Sequence, residues 1–343
     1  MCKGSHPWSR RTDRRVTKVA MKVGRGLSKP ALASTQTGGE MGNMMSKICQ
    51  AKLIAAGLGG ALLALTAATA LADPQNFAVG PQYDTTHIYV NAGDYDRFMS
   101  SFQATFGGIL SKQVVATVTP TPSSTISQLA LTPAGTISAF GFKTPVPHPF
   151  GTERTGYLVT NLDDAVKAAR KAGASVIVAP FDDPIGRDAV IQWPGAVNMQ
   201  LYWHTTPPNY PKLTTIPENR VYVSPDKQKE FVKDFVAFSH GKVVSDDPKA
   251  PGVEIGRASD TYHRIRIESL FGKMTVLVTD GHLPYPYGVE MTGYEVGNLS
   301  ETLDKAKASG AQVLVEPYTS DHRMAAMVQF PGGYIAEIHA PAN

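Results

Sequence analysis

Apolar residues along this chain recur at two spacings, one of strands and one of helices, that alternate in a fixed order. Residues 86–90 form a short β-type run, and in 94–106 the side chains of Tyr95, Phe98, Met99, Phe102 and Phe106 fall at helical spacing before Gly107 and Gly108 stop the helix. Three more β-type runs, at 114–118, 126–131 and 137–142, follow with turn residues between them. The unit therefore reads β-α-β-β-β. Beyond a proline-rich stretch at 144–150 the order returns. A strand is predicted at 155–159, a helix at 162–172 with Leu162, Val166 and Ala169 on one face, and strands at 176–178, 189–193 and 198–203. Prolines at 207, 208, 211 and 217 then mark a linker.

The second half of the chain repeats the first. Residues 151–204 and the stretch from Gly288 onward share a ground plan at an offset of 137 residues, ungapped from Thr155-Gly156-Tyr157 against Thr292-Gly293-Tyr294 to Pro194 against Pro331. Val221-Tyr222-Val223 with Phe231 and Phe235 matches Ile88-Tyr89-Val90 with Phe98 and Phe102 at an offset of 133, so a short indel lies between. Self-similarity of this kind identifies pieces that form the same supersecondary unit. Four β-α-β-β-β modules in two pairs follow from it, at 80–150 and 151–205, then, after the linker at 206–217, at 218–287 and 288–341. The fold class is α+β.

Charge changes the picture mainly by dividing the chain. The formal net charge is +4, yet residues 1–72 hold 11 of the 33 Lys and Arg and only 2 of the 29 Asp and Glu, so the rest is acidic. No basic run interleaved with aromatics follows residue 73, which argues against a nucleic-acid partner. Residues 53–72 are an uncharged run rich in Ala, Leu and Gly that ends Ala-Leu-Ala before Asp73, the pattern of a secretory signal with a small-residue cleavage site. Export to the periplasm or beyond is expected, with cleavage between Ala72 and Asp73; the alternative is an uncleaved anchor, the run's only route to a membrane. Residues 1–43 are long and patternless for the lead of such a signal and point to Met44 or Met45 as the natural start. Both cysteines, Cys2 and Cys49, lie in this leader, so the body has no disulfide, thiolate ligand or cysteine nucleophile.

The ordered series of short strand, Asn-Leu, amphipathic helix ending in Gly, and closing strand after Pro-Gly resembles the vicinal oxygen chelate superfamily, which includes glyoxalase I, bleomycin-resistance proteins and extradiol dioxygenases. The resemblance covers about residues 82–341. It implies two tandem domains, each a sheet of two modules curled into a ligand-holding cup. In that family a divalent metal sits on inward residues of the first and last strands. The matching positions here are His87, Arg154 and Gln200 in one half, and Arg220, Met291 and Glu337 in the other. Arginine and methionine do not serve a hard or borderline divalent ion, so no metal ligands and no cofactor are expected.

The resemblance then implies a metal-poor cup that binds a small organic molecule, anionic or aromatic, as in the bleomycin-resistance branch. Arg154 is the expected anion clamp, with Gln200, Tyr202, Tyr89 and His339 lining the cups. Arg220 is expected to pair with Glu337 inside the second cup, which would make that half purely structural. A lyase, isomerase or dioxygenase is the alternative, with His87 or Glu337 as general base or with a metal held by a different ligand set. Gly156 and Gly293 mark places where a side chain would fill a cup. The remaining histidines, His204 among them, read as structural. No nucleophile elbow, phosphate loop or dinucleotide fingerprint is present.

Overall fold

The computed structural model describes residues 76–342; the expected signal segment lies outside them. The first module contains β1 (Thr85–Tyr89), α1 (Tyr95–Phe106), β2 (Ile109–Leu110), β3 (Val114–Ala116), β4 (Thr125–Thr132) and β5 (Gly135–Phe142). The second has β6 (Thr155–Leu158), α2 (Leu162–Ala172), β7 (Ser175–Asp182), β8 (Gly186–Trp193) and β9 (Val197–His204). In the third come β10 (Glu218–Val223), α3 (Gln228–Ser239), β11 (Lys242–Pro251), a single 3-10 turn at Gly252–Ile255, β12 (Thr261–Ser269) and β13 (Gly272–Val278). The fourth is built of β14 (Met291–Glu295), α4 (Leu299–Ala308), β15 (Gln312–Ser320), β16 (Arg323–Gln329) and β17 (Ile335–Pro341). No helix among the described residues is long and apolar enough to cross a membrane.

Modules pair within the chain. Strands of the first two run in the order β2-β4-β5-β1-β6-β9-β8-β7, with β3 also on β4, and those of the last two in the order β11-β12-β13-β10-β14-β17-β16-β15. At the centre of each sheet the two opening strands meet antiparallel, Thr85 opposite Gly156 and Glu218 opposite Gly293. Their outer neighbours, β5 and β9 in one sheet and β13 and β17 in the other, run parallel to them. The edge differs from expectation in one place. The predicted strand at 114–118 is shorter, and β2 precedes it, because the chain leaves the ladder between Leu110 and Val114 before pairing again with β4.

Strand alternation divides each sheet into a helix face and an open face. On β1, Ile88 enters the apolar core while Thr85, His87 and Tyr89 look the other way. The helix faces of the two sheets turn toward each other and form two cores, each shared between the halves. One joins α2 to α3, with Trp193 and Phe238 ring centroids 5.4 Å apart and Tyr157 and Phe271 4.8 Å apart. The other joins α1 to α4, with Phe106 and Tyr294 4.9 Å apart. Helix starts carry the same device twice: the Asn161 side chain accepts from Asp164 N–H and the Asn298 side chain from Glu301 N–H, both at 3.1 Å.

Candidate functional site

The open face of the first sheet encloses a cavity of about 230 Å³. Its floor comes from the central strands. His87 stands there 2% exposed, and it has room because Gly156 lies opposite: a Cβ on Gly156 would come within 2.3 Å of His87 Nε2. The glycine reading made from the sequence therefore holds in this cup. His87 packs edge-on against Phe140 with ring centroids 5.4 Å apart, and Tyr89 leans on the same ring at 5.2 Å. Beneath them lies Glu153, fully buried, which accepts from the Tyr89 hydroxyl and has Oε1 3.7 Å from His87 Nδ1. His87 Nδ1 and Glu153 Oε2 are enclosed without a hydrogen-bond partner.

Gln200 and Tyr202, on β9, line the same cavity, as the period of two predicts, and Asp188 reaches it from β8 directly across from Tyr202. Burial holds the Asp188 carboxyl well above the usual range; the nearby charge of Asp183 adds to this, while the Gln200 amide opposes it. The Tyr202 hydroxyl donates to Tyr83 O, and burial, then the charge of Asp84, pushes its pKa up. Burial, then Glu153, does the same to Tyr89. His204, read as structural from the sequence, is also a wall residue, as is Tyr210 of the linker.

Arg154 is absent from this lining. Its Nη1 donates to Gly151 O at 3.2 Å and Glu153 O at 3.3 Å, and its charge is felt by Glu290 of the other half. Backbone pairing still reaches this residue, since His87 N–H donates to Arg154 O at 2.9 Å, but just past the turn at Gly151 (φ 90°) the guanidinium is drawn back to the carbonyls of Gly151 and Glu153, and Glu153 is the side chain turned inward to Tyr89. The anion clamp expected there is thus replaced by a carboxylate. A signal for Glu153 existed in the sequence, since the repeat places Glu290 opposite it at the offset of 137.

The second cup is filled by charge. Arg220, 3% exposed, lies 2.8 Å from Glu337 Oε2 and 3.0 Å from Glu218 Oε1. Arg323 reaches Glu218 at 3.1 Å, and His339 Nδ1 lies 3.1 Å from Glu337 Oε1. Burial works against the charge on Glu218, but Arg220, then Arg323, outweigh it and hold the carboxyl below the usual range. Glu337 is likewise lowered, chiefly by Arg220 against the opposing effect of burial. The 3-10 turn at Gly252–Ile255 adds Glu254, which accepts from Tyr262 at 2.6 Å and Ser320 at 2.7 Å and pairs with Arg264. Glu337 and His339, expected as base and ligand contact, are 1% and 4% exposed and engaged with each other and Arg220. Gly293 again supports a packed neighbour, with Arg220 Cδ 3.3 Å from where its Cβ would be.

A metal of the kind the fold family implies does not fit either cup. Among the described residues no three His, Cys, Asp or Glu side chains are grouped to hold one. In the first cup His87 and Glu153 approach each other with no third such ligand among the described residues, and in the second the Arg220 guanidinium stands between the carboxylates.

No family model and no curated protein sequence matches the chain. Solved structures do. A triple mutant of 4-hydroxymandelate synthase from Streptomyces coelicolor superposes with a TM-score of 0.52 at 13% identity, covering 79% of this chain and 93% of that one. A xylose isomerase-like TIM barrel/4-hydroxyphenylpyruvate dioxygenase fusion protein gives 0.50 at 11% identity, over 78% of this chain and 50% of that one.

Proposed function

We propose that this chain, which has the vicinal oxygen chelate fold, is an exported protein whose first cup binds a small organic molecule and whose second cup is structural. The observation that carries this reading is the contrast between the cups. One holds an aromatic-walled cavity of about 230 Å³ with His87, Asp188 and Gln200 at its base, a mostly apolar recess with a few convergent polar groups. The other is occupied by its own Arg220, Glu218, Glu337 and Glu254. Export rests on the leader, whose apolar run and Ala-Leu-Ala end are those of a secretory signal.

The test is a fluorescence titration with 2-naphthol as an uncharged aromatic probe, on the wild type and on Ser138→Phe. Ser138 faces the cavity opposite His87, so a phenyl ring there fills the space. Saturable one-to-one binding in the wild type and at least tenfold weaker binding in the folded variant are expected; equal binding by both would place the ligand elsewhere.

A second reading is favoured by one feature, the Tyr89–Glu153–His87 chain at the cavity floor. A buried carboxylate beside an imidazole that faces a cavity is the arrangement of a general base. Under this reading the first cup is the active site of a lyase or isomerase, and His87→Ala would abolish turnover while leaving probe binding within a few-fold.

A further inference from the structure

The polar groups of the first cup are unevenly charged. Asp188 is 6% exposed and turned into the cavity, Asp183 lies beside it in the β7–β8 turn, and Glu153 is buried under the floor. Among the described residues no arginine lines the space, and Arg154 bonds backbone carbonyls away from it. Lys112, the one lysine of the lining among the described residues, belongs to the exposed rim, where its ammonium reaches water. Around this acidic base stand the rings of Tyr89, Phe140, Phe150, Tyr202 and Tyr210.

We infer that the ligand of the first cup is an organic cation, an ammonium carried on an aromatic or similarly flat apolar body, with its charge placed at Asp188 and its body between the aromatic walls. The inference rests on the binding reading above and adds the charge class of the ligand to it. Three physical effects converge on it. Once an ammonium sits beside it, Asp188 can release its proton to solvent, and the ion pair that forms in a low-dielectric recess is held far more strongly than one in water, whereas an anion placed there gains no such partner. Aromatic faces also attract ammonium groups through their quadrupoles, an effect that grows when the cation is desolvated. Finally, a carboxyl buried without a cationic partner is costly as an anion, and Asp188 accordingly keeps its proton more readily than usual; an arriving ammonium supplies the missing partner. His204 does not compete for that role, since burial pushes its pKa down against the pull of Asp183.

A charge series on one ring decides the matter: isothermal titration at pH 7.5 with 2-naphthylmethylammonium, 2-naphthylmethanol and 2-naphthoate. In the wild type the cation should bind at least tenfold more tightly than the alcohol, and the naphthoate most weakly. Asp188→Asn, close to isosteric, should bring cation and alcohol within about threefold of each other while the alcohol's affinity stays within threefold of the wild-type value. Asp183→Asn, on an exposed turn, should lower the cation's advantage in the same direction by a smaller factor, so the inference is tested even if the Asp188 variant does not fold. Tightest binding by the alcohol or the naphthoate overturns the charge assignment and leaves the binding reading intact. An unchanged cation preference in a folded Asp188→Asn protein removes Asp188 from it and overturns it as well. If none of the three binds, the binding reading falls and this inference falls with it.

Discussion

At the scale of single residues, Arg220 decides what the second cup is. Its guanidinium neutralises Glu337 and Glu218 in a space without water access, and the two carboxyls are held below their usual range by it. Removing one partner of a buried set leaves an uncompensated charge, which costs about 3–5 kcal/mol, whereas replacing all partners by apolar groups of similar volume is close to neutral. Arg220→Met alone should therefore lower the urea-derived stability by about that amount, and Arg220→Met combined with Glu337→Leu, Glu218→Leu and Arg323→Met, which removes the second guanidinium on Glu218 as well, should recover most of it. A single variant as stable as wild type would show the network to be solvated. The pH dependence follows with its sign: folded pKa values below the unfolded ones mean that this contribution is complete above about pH 4.5 and is lost as pH falls through the folded values.

At the same scale, sequence and structure part company at residues 153–154. The parity of β6 predicts Arg154 in the cup, and that parity holds for Gly156, which the close approach of His87 requires to lack a side chain. Two residues earlier the backbone is still bonded to β1, His87 N–H donating to Arg154 O, yet the guanidinium folds back onto the carbonyls of Gly151 and Glu153 and leaves the cup. Gln200 and Tyr202 were legible as lining because they lie well inside a strand, with neighbours paired on both sides. Asp188 and His204 were not, since nothing in a single strand's alternation says whether the polar face meets water or a cavity.

Elements are where the sequence spoke most plainly. The duplicated Asn-Leu at 161–162 and 298–299 predicted two helix starts in register, and both asparagines turn out to cap their helices with the same 3.1 Å hydrogen bond. Each cap satisfies one amide that has no intrahelical acceptor. Asn161→Ala and Asn298→Ala should each cost about 1 kcal/mol, and the double variant about 2, because the two sites share no partner. Chemical denaturation of the three variants checks this; a double variant that loses much more than the sum would mean that α2 and α4 are coupled. In the first module the periodicity missed β2, which has only two residues, too few for alternation to register.

For the whole molecule, the repeat predicted two halves but not how they are held. A duplication suggests that each half is self-sufficient, yet every helix here packs its apolar face against a helix of the other half, α1 on α4 and α2 on α3. Phe98, Phe102 and Phe106 surround Tyr294 and Phe330, while Phe235 and Phe238 pack on Trp193 with Phe231 stacked on Phe235. The central strands are bonded across the boundary too, by Thr86 Oγ1 and Thr292 Oγ1 at 3.1 Å. Separating the halves would expose both sets of aromatic side chains at once, each fully buried residue contributing roughly 1.5–3 kcal/mol. Neither half then has a folded state of its own at ordinary stability. Residues 76–342 should accordingly unfold in one transition, with tryptophan fluorescence from Trp193 and Trp203 in the first half and far-ultraviolet circular dichroism from the whole superposing at every denaturant concentration. A fragment of 76–205 alone should lack a cooperative transition. Two resolved transitions in the full chain, or a cooperatively folded fragment, would show that the shared cores are an interface between independent domains, and the structural role assigned to the second half would lose its physical basis.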